Sequence, residues 1–143
     1  MEVHYDYSTK SYQIKERISN GQTLFMWFQF LEETKNGAYY NVALAIYNKR
    51  KHASRNEEEK CITGLSPFET VSVALKAFRL LENEVWQNCA LKNRPMNLIV
   101  NWVDNRRRDA YNRVLSKKGF YYTNYRGEKV LYKHYKPEDY VSG

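Results

Sequence analysis

Three consecutive arginines, Arg106-Arg107-Arg108, open the most basic stretch of this 143-residue chain. Residues 104–118 carry six basic and two acidic side chains, and the guanidinium fork grips phosphate oxygens two at a time. On a helix, Arg106, Arg113 and Lys117 recur at seven and four, so they share one outward face suited to a phosphate backbone. Arginines in a first helical turn oppose the dipole by a few tenths of a kcal/mol each; local pairing with Asp104 and Asp109 offsets this. Cys61 precedes a second helix start, where the dipole favours a thiolate, but no histidine lies beside it in sequence to complete a nucleophile. Glu32 and Glu33 are the carboxylates on offer as a general base. His4, His52 and His134 are scattered, without the i, i+4 spacing or the Cys partners that zinc needs. The sequence contains no Gly-x-Ser-x-Gly elbow, no Gly-Lys-Ser/Thr phosphate loop and no dinucleotide fingerprint.

These residues sit in a chain of one-domain size, so a single domain over residues 1–143 is expected. Hydrophobic residues make up 43% and charged residues 27%, which excludes a disordered tail, a collagen or a membrane channel. The longest apolar stretches, 24–28 and 42–46, fall far short of the ~20 residues that span a bilayer. Residues 1–6 have neither a basic nor an apolar leader region. A cytoplasmic protein with no membrane partner is expected. Cys61 and Cys89 lack companions for a disulfide scaffold or a zinc module and are read as reduced thiols, with no metal. The net charge of +7 belongs to the C-terminal half: residues 1–48 sum to −1, whereas 126–136 carry +3. Such a field keeps a small domain soluble and also attracts nucleic acid or another anionic partner. The 13 tyrosines suit half-buried sheet faces, and they also stack on bases.

The first half reads as strands at 3–7, 12–18, 23–31 and 38–47. The third, with apolar residues on both faces, is the best candidate for the middle of the sheet. Asn36-Gly37 marks a tight hairpin turn. In the fourth strand Tyr40, Val42, Leu44 and Ile46 share one face. Residues 48–61 have no apolar periodicity and read as an exposed loop. Ser66-Pro67-Phe68-Glu69 is a capping box with proline at the first helical position. The helix it starts runs to about Leu91, with Val71, Ala74, Leu75, Phe78, Leu81, Val85 and Cys89 as its inward stripe. A buried strand follows at 96–103, and then a helix capped by Asp104 or Asn105, with Ala110, Tyr111, Val114 and Leu115 inward. Gly119 ends that helix in a left-handed turn, residues 120–125 and 129–135 form a closing hairpin, and the tail from Lys136 is expected to fray.

From about Thr23 to Tyr135 this order resembles the GNAT acetyltransferase superfamily, and Val114-Leu115-Ser116-Lys117-Lys118-Gly119-Phe120 is similar to its helix-end pattern, a basic residue and a Gly-Phe pair entering the next strand. The resemblance implies an α+β fold, three-layered in the α/β manner: a central mixed, mostly antiparallel twisted sheet with two principal helices. It implies that a loop leading into the first core helix binds the coenzyme A pyrophosphate, which places Cys61, Thr63, Gly64, Leu65 and Ser66 at an acetyl-coenzyme A site. The stretch departs from the family's Gln/Arg-x-x-Gly-x-Gly/Ala pattern: Gly64 matches one glycine, Ser66 and Cys61 replace other positions, and Pro67 removes an amide donor. The family often carries an acid tyrosine four residues before the Gly of the Gly-Phe pair. Leu115 stands there, and Tyr111, one turn earlier, replaces it only if the cofactor shifts by roughly 5–6 Å. Three functions stay open: a divergent acetyltransferase-like domain that has lost or altered catalysis and serves as a binding module, an active acetyl-coenzyme A-dependent N-acetyltransferase, and a nucleic-acid-binding protein using Arg106, Arg107, Arg108, Arg113 and Lys117.

Overall fold

A computed structural model describes residues 1–19, 21–48, 67–102 and 105–141. Its strands are β1 (His4–Asp6), β2 (Ser11–Arg17), β3 (Gln22–Thr34), β4 (Gly37–Asn48), β5 (Met96–Val100), β6 (Tyr121–Tyr125) and β7 (Glu128–Tyr135). Its helices are α1 (Pro67–Leu91) and α2 (Asn105–Leu115), the latter continued by a 3-10 turn at Ser116–Lys118. The strands form a seven-stranded sheet in the order β1-β2-β3-β4-β5-β7-β6. This is the expected α+β class with a mostly antiparallel sheet and two principal helices. β4, not β3, holds the central place.

The chain divides into two compact units. The first comprises Met1–Gln29 and Ala43–Val85. Here β2 pairs antiparallel with β3, matching Tyr12 to Phe28 and Ile14 to Met26. Because strand side chains alternate with period two, these four residues and Leu24 share a face, and all five are buried. α1 covers that face with Phe78, whose ring centroid lies 5.8 Å from that of Phe28. Ala77, Phe78, Leu81 and Val85 are buried, while Val71, expected to face inward, is exposed. Ala45 and Ile46 of β4 are both buried although they are consecutive, so strict alternation fails where both faces of a central strand are covered.

The second unit comprises Phe30–Val42 and Trp86–Gly143. β4 and β5 run parallel, registered from Ala38↔Met96 to Asn41↔Ile99. A parallel pair needs a crossover, and α1 lies between these strands in sequence. β5 is buried at all five positions, as a strand covered on both faces must be. It is shorter than the sequence suggests: its last partner on β7 is Leu131, opposite Val100, and Asn101 is exposed, with its amide donating to Asn41 Oδ1 at 3.4 Å. At the hairpin base Gly37 has φ +112°, and a Cβ built there would lie 2.3 Å from the Pro95 carbonyl oxygen. Gly119 adopts the expected left-handed conformation, φ 94°. Over its described residues, 136–141, the tail is not frayed: Pro137–Asp139 forms a 3-10 turn, Trp86 Nε1 donates to the Lys136 carbonyl at 2.9 Å, and the Trp86 and Tyr140 rings meet edge-on. An indole N–H left half-buried by packing needs an acceptor, and residue 136 supplies it.

Candidate functional site

The positively charged helix is only partly described. Arg106 and Arg107 lie in the first turn of α2, and their side chains lie outside the described residues. Arg108 pairs with Asp109 at 3.1 Å through both Nε and Nη2, which is the expected local neutralisation; Asp104 lies outside the described residues. Arg113 and Lys117 are exposed, and neither makes a salt bridge among the described residues. Tyr111 is half-buried on α2 and engaged by its surroundings, and Leu115 is buried. Cys61, Thr63, Gly64, Leu65 and Ser66 lie outside the described residues. Cys89 is a free, buried thiol that burial pushes up to about 11, so it is inert.

Glu32 and Glu33 are both committed to partners. Glu33 pairs with Arg94, which also donates to the Thr34 carbonyl at 3.4 Å. Glu32 accepts from the Tyr125 hydroxyl and from Arg126 Nη2 at 2.6 Å. The Tyr125 bond, followed by that of Arg126, holds the Glu32 carboxyl below its usual range, which makes it a poorer base. Tyr125 in turn is pushed up to about 12 by burial and by Glu32, and its ring stacks on Tyr39 at 5.5 Å.

Beside this pair the second unit assembles a polar cluster that reasoning from the sequence did not single out. Asn97, in the middle of the apolar Met96–Val100 strand, is fully buried. Its Nδ2 donates to the carbonyls of Asn36 at 3.1 Å and Ala38 at 3.4 Å. Its Oδ1 accepts from the Tyr132 hydroxyl at 2.5 Å and lies 2.6 Å from His134 Nδ1. The register explains the meeting: Asn97 stands opposite His134, and Tyr132, two residues earlier on β7, leans from the same face. The Tyr132 hydroxyl is held far above the usual phenol range by burial first, then by Tyr39 and Tyr121. The available signal was one amide interrupting an apolar strand, a residue that a core tolerates only when its hydrogen bonds are met.

Among the described residues no group of three or more His, Cys, Asp or Glu is placed to hold a metal ion, and no helix is long and apolar enough to cross a membrane. The chain matches no protein-family model, no curated protein and no solved structure.

Proposed function

We propose that the chain is a divergent GNAT-like domain that has set aside acyl transfer and works as a binding module for an anionic partner. The observation that carries this reading is the β4–β5 pair, which is parallel and central and leaves β4 running on through 42–48 after its last registered partner, Ile99. The order hairpin, α1, β5, α2, hairpin supports the same resemblance. Buried Leu115 at the position of the family's acid, Tyr111 half-buried one turn away, and the ion-paired Glu32 and Glu33 favour the loss of transfer chemistry. Titration calorimetry with acetyl-coenzyme A tests the reading. No heat at millimolar ligand is expected. Micromolar binding overturns it in favour of an active N-acetyltransferase, with Cys61, Thr63, Gly64, Leu65 and Ser66 at the pyrophosphate and Tyr111 as acid.

The exposed Arg113, in the last turn of α2, and the exposed Lys117, in the 3-10 turn that follows it, favour nucleic acid as the anionic partner. Phosphate contacts of this kind give salt-sensitive, weakly sequence-specific binding. Gel shifts of Arg113→Glu/Lys117→Glu and of Arg106→Glu/Arg107→Glu/Arg108→Glu check this. Loss of a shift that the unaltered protein gives is expected, and an unchanged shift clears the helix of the role.

A further inference from the structure

The geometry points to His134 as a built proton-accepting site: Asn97 locks its neutral ring as the Nδ1–H tautomer, so that Nε2 is left to take a proton from a ligand bearing an ammonium or hydroxyl group. Asn97 fixes this state independently of any coenzyme A site. The two groups facing Nδ2 of Asn97 are the backbone carbonyls of Asn36 and Ala38, which can only accept. That fixes the amide, because the flipped orientation would set its oxygen against two carbonyl oxygens, neither of which can donate to it. Oδ1 must therefore face β7, and an amide oxygen only accepts. The His134 nitrogen 2.6 Å away then has to carry the hydrogen.

With Tyr132 as the second donor, the fully buried Asn97 has both N–H groups and both lone pairs engaged, so its position is over-determined. The bond made by one ring nitrogen decides the state of the other. Nε2 of neutral His134 holds a lone pair; it has no hydrogen-bond partner among the described residues, and His134 itself is exposed.

Proton uptake needs no rearrangement. When Nε2 forms its N–H bond, the ligand's N–H or O–H bond breaks and leaves its electron pair on the ligand. The ring becomes imidazolium, and Nδ1–H keeps donating to Asn97 throughout. A base already oriented in both protonation states avoids the reorganisation that slows proton transfer. His134 acts on the ligand; Asn97 and Tyr132 are positioning residues.

Nitrogen-15 NMR of the full chain, at a pH where the ring is neutral, tests the assignment. A pyrrole-type Nδ1 bearing hydrogen and a pyridine-type Nε2 are expected for His134; the reverse pattern overturns the inference. Asn97→Leu is expected to lose the Nδ1–H signal. Should that variant fail to fold, Tyr132→Phe keeps the Asn97–His134 bond and is expected to keep the tautomer, whereas a switch to Nε2–H removes Asn97 from the role. Labelling with diethyl pyrocarbonate reads the presented lone pair: His134 is expected to react several-fold faster than the exposed His4, and equal rates overturn the inference.

Discussion

Tyr125 gives up its proton late because its hydroxyl already serves a carboxylate. Removing that proton would place a phenolate against Glu32, so burial and Glu32 together raise the group from 10.0 to about 12. A folded-state pKa above the unfolded one contributes stability that is fully present below pH 10.0 and is lost as pH rises through about 12. Glu32 works in the opposite sense. Its carboxyl is lowered in the fold, so its contribution is complete above the ordinary value of 4.5 and is lost as pH falls through the folded value. Ultraviolet titration of tyrosinate is expected to show late-ionising tyrosines, one of which disappears in Tyr125→Phe. In Glu32→Gln that same group is expected to move part of the way back, because burial remains. A Tyr125 that ionises normally in the unaltered protein would contradict the Glu32–Tyr125–Arg126 link.

At the scale of elements, two close approaches fix how strands and helices meet. Gly37 combines a positive φ with a Cβ position inside the Pro95 backbone, and the next residue, Ala38, donates to that same Pro95 carbonyl at 3.1 Å. Gly37→Ala thus forces either the hairpin or the entry to β5 to move, and a loss on the order of 1–3 kcal/mol is expected from the strained φ alone. The midpoint of urea unfolding reads it. Trp86→Phe keeps the ring against Tyr135 but removes the donor to Lys136; a loss of about 1 kcal/mol and faster amide exchange after residue 136 are expected.

Which elements form was legible because capping and periodicity are local. Pro67 opens α1, Gly119 turns left-handed after α2, and the Asn36-Gly37 turn falls where the dipeptide puts it. Partnership across the sheet is not local. The end of β5 at Val100 depends on where β7 stops facing it, the exposure of Val71 on what α1 covers, and the ordering of the tail on an indole fifty residues away. The Asn97–Tyr132–His134 cluster was hidden for the same reason: its members are ordinary one by one, and only the register of β5 on β7 makes them a group.

For the molecule as a whole, the divisions between the two compact units fall at 29/30, 42/43 and 85/86, inside β3, β4 and α1. A boundary in mid-element interrupts a hydrogen-bonded ladder or helix, not a linker, so separate melting would break those elements internally. One unfolding transition is expected, with coincident urea curves from variants that retain only Trp27 in the first unit or only Trp86 in the second. Separated curves would show the units to be independent. The parallel β4–β5 pairing also joins residues 38–41 to 96–99, a distant closure that favours folding in milliseconds to seconds over microseconds.

The two outermost strands differ in what they offer a neighbour. β1 is a three-residue stub, too brief a template for another chain to zip onto. β6 is five residues long, with Tyr121 and Tyr122 turned to water, and an aromatic, uncharged margin of that kind invites recruitment into fibres. Crowded solutions of this protein should accordingly coalesce from the β6 flank, and Asn124→Lys, which places a gatekeeping charge there, should lengthen the lag before turbidity.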